Sequence, residues 1–227
     1  MIDLDRDGAI FVLRMNAGEN RLAPAFLEDY ERALDQVESA SGQTALVTTG
    51  HGRFYSNGLD VAALAEAEPN AVVQFLGRLH GLFARLLSFD VPTVAALNGH
   101  AFAGGAMLAV AHDSRVMRSD RGYFCLPEID LATGRALTRG MFALLQARLA
   151  PATLHEALVT GRRFTAPSAL VAGLVDESCA ERDVLPRAIE RARALARRDR
   201  ATLGALKRGL YAEALAALRH SEPGTAS

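Results

Sequence analysis

Strand-like runs that alternate with helical ones along the 227 residues predict an α/β fold with parallel strand pairing. The apolar run Thr93–Leu97 strengthens that prediction, because a strand without polar positions has to be covered on both faces. Gly-rich turns from strand to helix, Gly50–Gly52 and Asn98–Gly105, are a further sign. In chain order, Ala9–Leu13 reads as a strand, followed by a loop containing Gly18 and Asn20. Pro24–Ser39 has helical spacing, with Phe26, Leu27, Tyr30, Leu34 and Val37 on one face. Thr44–Thr49 is the next strand, and Ser56–Asp60 leads into a short helix over 61–65. A longer helix over 70–88 repeats Val72, Val73, Leu76, Leu79, Leu82, Phe83 and Leu86 at helical period. Thr93–Leu97 follows, then a helix over 104–112 and a strand over 114–117. Beyond Pro151 the pattern is helical, with Pro167 and Pro186 expected in first turns. The Ala/Leu/Arg-rich tail from Leu185 to His220 either closes over the core or packs against another subunit.

Half of the chain is hydrophobic, sufficient for one substantial core or a core with a small appendage. A net charge of -1 offers no basic surface for nucleic acid. Cys125 and Cys179 do not make a disulfide framework and suit a reducing compartment. The N-terminus is acidic where a secretory signal would be basic and then apolar. The apolar stretch from Val91 to Ala111 is long enough for a membrane span, but Pro92, Asn98, Gly99, His100 and Gly104-Gly105 break it. A soluble protein with no membrane partner is expected. The chain ends at Ser227 without a Ser-Lys-Leu tail, so a peroxisomal address is unsupported. A cytoplasmic location is expected.

Three segments could carry chemistry. In Gly52–Asp60 a turn around Gly58 either presents a backbone N–H to a ligand oxygen or simply adopts positive φ. It is not a nucleophile elbow, since Phe54 stands two residues before Ser56. In Asn98–Gly105 the N–H groups at the following helix start form a natural anion site, although close packing explains the glycines equally well. The segment lacks the spacing of G-x-G-x-x-G or a P-loop. In Leu126–Leu131, Glu128 follows a proline among apolar residues. It is either a surface carboxylate or a partly buried one whose raised pKa suits a general base. The histidines show no metal-ligand spacing, and His100 within the second turn is expected to make a structural hydrogen bond. The arginines at 187–200 read as a solvated helix face.

These segments occur in one order and spacing, and from Asn20 through Asp176 the chain resembles the enoyl-CoA hydratase/isomerase (crotonase) superfamily. The matching pieces are Asn20-Arg21-Leu22, Arg53–Asp60, Pro92–Ala101, Pro127–Leu131, Gly161–Ala166 and Ala172–Asp176. The resemblance implies a crotonase-like spiral of ββα units over residues 1–180, with a C-terminal helical segment over 181–227. It implies an oxyanion hole for an acyl-CoA thioester built from the N–H groups of Asn57 and Gly104. Arg53, Ser56, Gly58, Asp60 and Gly105 are the implied substrate- or CoA-binding positions. No metal and no separate cofactor are implied, since CoA arrives as part of the substrate. Assembly as a homotrimer or dimer of trimers is implied as well.

Hydratases of the superfamily use two glutamates, and the first of these positions holds Met107 here, while the second holds Glu128. The single-glutamate pattern is similar to that of Δ3,Δ2-enoyl-CoA isomerases, with Glu128 as the proton shuttle. The alternatives are other enolate chemistry, such as hydration, or an acyl-CoA-binding or interaction protein without catalysis. A departure at Ala132–Arg135 from the hydratase pattern bears on the shape of the acyl pocket.

Overall fold

In the computed structural model, which describes residues 1–130 and 137–220, the chain opens with a hairpin. Strands β1 (Ile2–Asp7) and β2 (Ile10–Met15) pair antiparallel across Gly8, which has φ +61°. This edge pair is antiparallel, while the other strand pairs are parallel as expected. In β1 Ile2 and Leu4 alternate with acidic residues, a period-two signal that the acidity conceals. Next come α1 (Pro24–Ser39), β3 (Ala45–Gly50), β4 (Phe54–Ser56), α2 (Val61–Glu66) and α3 (Pro69–Ser88). They are followed by β5 (Thr93–Leu97), β6 (His100–Phe102), α4 (Gly104–Val110), β7 (Ser114–Arg118) and β8 (Phe124–Cys125). After a 3-10 turn over Glu128–Asp130 come α5 (Arg139–Arg148), α6 (Pro151–Thr160), α7 (Ala166–Val171) and β9 (Glu177–Cys179). The C-terminal helices are α8 (Glu181–Leu195), α9 (Arg200–Leu210) and α10 (Ala212–Arg219).

The strands form a six-stranded sheet in the order β1-β2-β3-β5-β7-β9 and a three-stranded sheet in the order β4-β6-β8. Each of β3, β5 and β7 in the large sheet is followed directly by one of β4, β6 and β8 in the small one, and then by helix. These are the ββα units of a crotonase-type spiral. The short second strands are the elements that hydrophobic period misses, because two or three residues cannot display alternation.

Alternate residues of the large sheet face different cores. Ile10, Val12, Val47, Val94, Ala96 and Val116 pack against Val184, Ala188, Ala192 and Ala196 of and just beyond α8. Alanines at four-residue spacing let this helix lie close to the sheet. Leu13, Leu46, Ala95, Leu97 and Met117 face the main core with α1, α3, α4, α5 and α10. Helix α8 starts at Glu181, so Pro186 lies inside it and not in its first turn as its sequence position suggested. Beyond α8, Lys207 of α9 is buried and bonds Asp113 Oδ2 at 2.7 Å and Phe89 O at 2.9 Å.

The corner between β5 and β6 is tightly specified. Asn98 Oδ1 accepts from Gly50 N–H at 2.8 Å, and its Nδ2 donates to Gly52 O and Phe54 O. A Cβ on Gly99 would lie 2.0 Å from Arg53 O, so only glycine lets β6 start against β4. Buried Arg118 donates to Asn98 O at 2.9 Å and pairs with Asp120 and Glu181, tying the corner to the start of α8.

Candidate active site

Strands β4, β6 and β8 are parallel, so their C-terminal ends point the same way. Residues 57–60 leave from the end of β4, Gly104 and Gly105 from the end of β6, and Pro127-Glu128 from the end of β8. Such an edge, outside the carboxyl ends of parallel strands, is where α/β sheets offer ligands a crevice. The sequence-predicted Gly58, Gly104, Gly105 and Glu128 thus come from one edge of one small sheet.

The close approach of the first two segments depends on glycine. Gly58 has φ +83°, and a Cβ there would lie 2.9 Å from Phe102 O and 3.2 Å from Gly104 N. A Cβ on Gly104 would lie 2.4 Å from Leu59 Cδ1, and one on Gly105 would lie 2.3 Å from Ser56 O. Ala103, which caps α4, takes φ +48° and ψ -122°, a strained conformation for a residue with a side chain. Its own N–H is held by Cys125 O at 3.0 Å, which links the entry of α4 to the strand leading to Glu128.

Asn57 requires a correction as donor. Its N–H already donates to Glu19 O at 2.9 Å and its side-chain amide to Glu19 Oε2 at 2.9 Å, so neither is free for a ligand. The unengaged donor two residues on is Leu59. Leu22 and Leu59 form a parallel bridge in which Leu22 N–H bonds Gly58 O at 2.7 Å and Asp60 N–H bonds Leu22 O at 3.2 Å. That pattern directs the N–H of Leu59 away from Leu22. Leu59 N–H has no acceptor among the described residues, and neither does Gly104 N–H at the first turn of α4. Two unpaired N–H groups beside a glycine contact can hold an oxyanion. Sequence offered no sign of Leu59, whose side chain is irrelevant to the donor it presents.

Of the remaining sequence-predicted positions, Ser56 and Asp60 are engaged by the backbone. Ser56 is fully buried, its hydroxyl donating to Asn20 O at 2.7 Å and accepting from Gly58 N–H at 3.3 Å. Asp60 caps α2 by accepting from Ala63 N–H. Arg53 precedes β4 and so stands at the opposite end of the strand, exposed, its guanidinium 5.6 Å from the centre of the Phe54 ring. His100 makes no side-chain hydrogen bond among the described residues. Its ring packs between Phe54, Phe102 and Tyr123 at 5.3, 4.9 and 5.5 Å, which replaces the hydrogen bond expected of it.

Glu128 has the environment of a base. Its Oε2 is buried with no hydrogen-bond partner among the described residues, and burial raises its pKa from 4.5 to about 7. Met107, one turn into α4, is fully buried in the main core. The segment Ala132–Arg135 lies outside the described residues. Among the described residues no group of His, Cys, Asp or Glu side chains could hold a metal ion, and no helix is long and apolar enough to cross a membrane.

The sequence model of the enoyl-CoA hydratase/isomerase family matches residues 5–222. The chain belongs to the enoyl-CoA hydratase/isomerase family. Within the family it is 34% identical over 182 residues to the peroxisomal enoyl-CoA delta isomerase 1 of Arabidopsis thaliana, covering 78% of this chain and 75% of the relative. It is 35% identical over 165 residues to carnitinyl-CoA dehydratase of Citrobacter koseri, covering 73% of this chain and 62% of the relative. Among solved structures, an enoyl-CoA hydratase of Mycobacterium ulcerans superposes with a TM-score of 0.88 at 32% identity, covering 96% of this chain and 94% of that one. The M. tuberculosis enoyl-CoA isomerase does so with a TM-score of 0.88 at 30% identity, with the same coverage of 96% and 94%.

A buried polar chain links α4, β3 and β4 of this family member. His112 Nδ1 lies 2.8 Å from Leu108 O on α4 and must donate to it. Nε2 is then an acceptor for Thr48 Oγ1 at 3.0 Å, and Thr48 accepts from Tyr55 OH at 2.9 Å. Burial lowers the His112 pKa from 6.5 to about 4. Between those values the unfolded chain binds the proton and the folded one does not, so stability falls as pH drops from about 6.5 to 4. The loss should reach on the order of 3 kcal/mol. Denaturant titrations of wild type and His112→Gln across that range should show this contribution only in the wild type.

Proposed function

We propose that this protein moves the double bond of a 3-enoyl-CoA to position 2 through an oxyanion-stabilised enolate. The observation that carries this reading is the Glu128 carboxylate, whose Oε2 is buried without a hydrogen-bond partner among the described residues, while Met107 stands on α4 where a second acid would be needed. Glu128 as carboxylate takes a proton from C2. The C–H electron pair then forms the C1–C2 double bond of the enolate, and charge passes to the thioester oxygen. Leu59 N–H and Gly104 N–H hold that oxygen. On collapse, the C3–C4 π electrons take the same proton at C4, the enolate electrons form the C2–C3 double bond, and the carboxylate is regenerated. No net proton or electron is gained or lost. Similarity to three Arabidopsis enoyl-CoA delta isomerases, each at 34% identity, supports the same reaction.

Similarity to the carnitinyl-CoA dehydratases favours hydration as the second reading, but Met107 cannot transfer the proton such chemistry shares between two acids. Assaying one preparation with a 3-enoyl-CoA and a 2-enoyl-CoA separates the two. Isomerisation should exceed hydration by about a hundredfold or more, the contribution expected of one missing acid–base group. Hydration at an equal or greater rate would overturn the assignment.

The same reading takes Gly58 and Gly105 as positions where a missing side chain opens the thioester site, and Arg53 as a contact for the outlying charged part of CoA. CoA enters with the substrate, so no separate cofactor is invoked. It includes a spiral core over 1–180 with a C-terminal helical segment over 181–227. It also includes assembly as a trimer or dimer of trimers, for which Leu206 and Leu210, 66% and 74% exposed on α9, offer apolar surface. A cytoplasmic location fits the two free cysteines.

A further inference from the structure

The segment from Phe54 to Asp60 is held on one side by β6 and Asn98 and on the other by residues 17–22, and Asn20 is the hub of the latter clamp. Asn20 is fully buried and has φ +50°, a left-handed conformation that asparagine tolerates better than most residues. Its Oδ1 accepts from Ala17 N–H at 2.8 Å, and its N–H donates to Ala17 O at 3.0 Å, so the turn that bears it is fixed locally. Its Nδ2 reaches across to donate to Phe54 O at 3.3 Å and Tyr55 O at 3.0 Å. Its carbonyl accepts from Ser56 Oγ at 2.7 Å, and Ser56 Oγ in turn accepts from Gly58 N–H at 3.3 Å. The neighbours continue the clamp. Glu19 O takes Asn57 N–H, and Leu22 brackets Leu59 through Gly58 O and Asp60 N–H. The outcome is that the polar groups on either side of Leu59 are occupied, while Leu59 N–H is aimed away from the clamp.

We infer that Asn20 is a positioning residue that sets the direction of the Leu59 N–H relative to the Gly104 N–H. It acts through the peptide planes of Phe54 to Gly58 and does not touch the substrate. This inference rests on the oxyanion reading of the site. A buried amide that bonds two successive carbonyls fixes both peptide planes, and a rotation accumulated over the following residues would turn the Leu59 donor off the thioester oxygen.

The test uses Asn20→Asp, which keeps the shape and the Ala17 acceptor but removes both donors. Asn20→Gly serves beside it, because glycine takes φ +50° without strain should the aspartate variant not fold. The readouts are kcat, KM and the carbonyl stretching frequency of hexanoyl-CoA labelled with carbon-13 at C1, measured by infrared difference spectroscopy on the bound ligand. Wild type should shift that band to lower frequency on binding. The folded variants should lose much of the shift and about ten- to a hundredfold in kcat, with KM changed less than about threefold. A folded variant that keeps the wild-type shift and kcat would overturn the role of Asn20 alone. A wild type without any shift would remove the oxyanion reading, and this inference with it.

Discussion

Replacing Glu128 by glutamine should lower isomerase turnover by about 10²–10⁴-fold while leaving the protein folded and more stable at alkaline pH. The loss follows from the reaction, which needs one group to accept a proton at C2 and return it at C4. A carboxamide can occupy the Glu128 site but cannot do this. The gain in stability follows from burial, which raises the Glu128 pKa from 4.5 to about 7. The folded state therefore binds the proton more tightly than the unfolded state. Its contribution to stability is fully present below about pH 4.5 and is lost as pH rises through 7. At pH 8 the ionised, unpaired carboxylate costs up to about 3 kcal/mol, and glutamine carries no such cost. Denaturant melts at pH 5 and pH 8 should show the variant gaining on wild type only at the higher pH. Wild-type kcat/KM should rise with pH through about 7, as the base becomes available. Normal turnover in folded Glu128→Gln would sink the assignment.

Gly58→Ala should cost about 10²–10³-fold in kcat with little change in KM, the loss expected for one oxyanion donor. Gly58 has φ +83°, and its added Cβ would meet Phe102 O at 2.9 Å, Ala103 Cβ at 3.0 Å and Gly104 N at 3.2 Å. The alanine has to leave this left-handed conformation or push the entry of α4 aside. Either response separates the N–H of Leu59 from that of Gly104. An oxyanion donor acts on charge that develops in the transition state, so the effect should fall on kcat. The variant is readily checked by steady-state kinetics beside a near-UV circular dichroism spectrum. A loss confined to KM would mean that the glycine serves only to admit substrate.

Much of this architecture can be read from residue order. The helices of 24–39 and 69–88 and the strand of 93–97 are legible because each repeats its apolar positions often enough to define a period. The strands β4, β6 and β8 are not, since each is too short and is defined by its neighbours in the small sheet. The first strand was legible in principle, but its aspartates draw attention from the alternation of Ile2 and Leu4. At the site, Gly58, Gly104, Gly105 and Glu128 stand out because glycine and an apolar-flanked carboxylate are unusual choices with a limited set of causes. Ser56 and Asp60 are implied by the resemblance as substrate- or CoA-binding positions, yet their hydroxyl and carboxylate are engaged by the backbone.

The α/β class, the family resemblance, and the replacement of one acid by Met107 with Glu128 retained are all legible in the residues themselves. These depend on residue identity and order, which sequence states directly. Which backbone N–H groups are free depends on how distant segments pack in the folded chain. Asn57 is excluded because Glu19, distant in sequence, already accepts from it, and Leu59 is left unengaged because Leu22 brackets it from the other side. Every non-proline residue carries the same amide, so its side chain cannot reveal the donor. Hydrogen bonds to a remote segment decide that, and they exist only once the chain has folded.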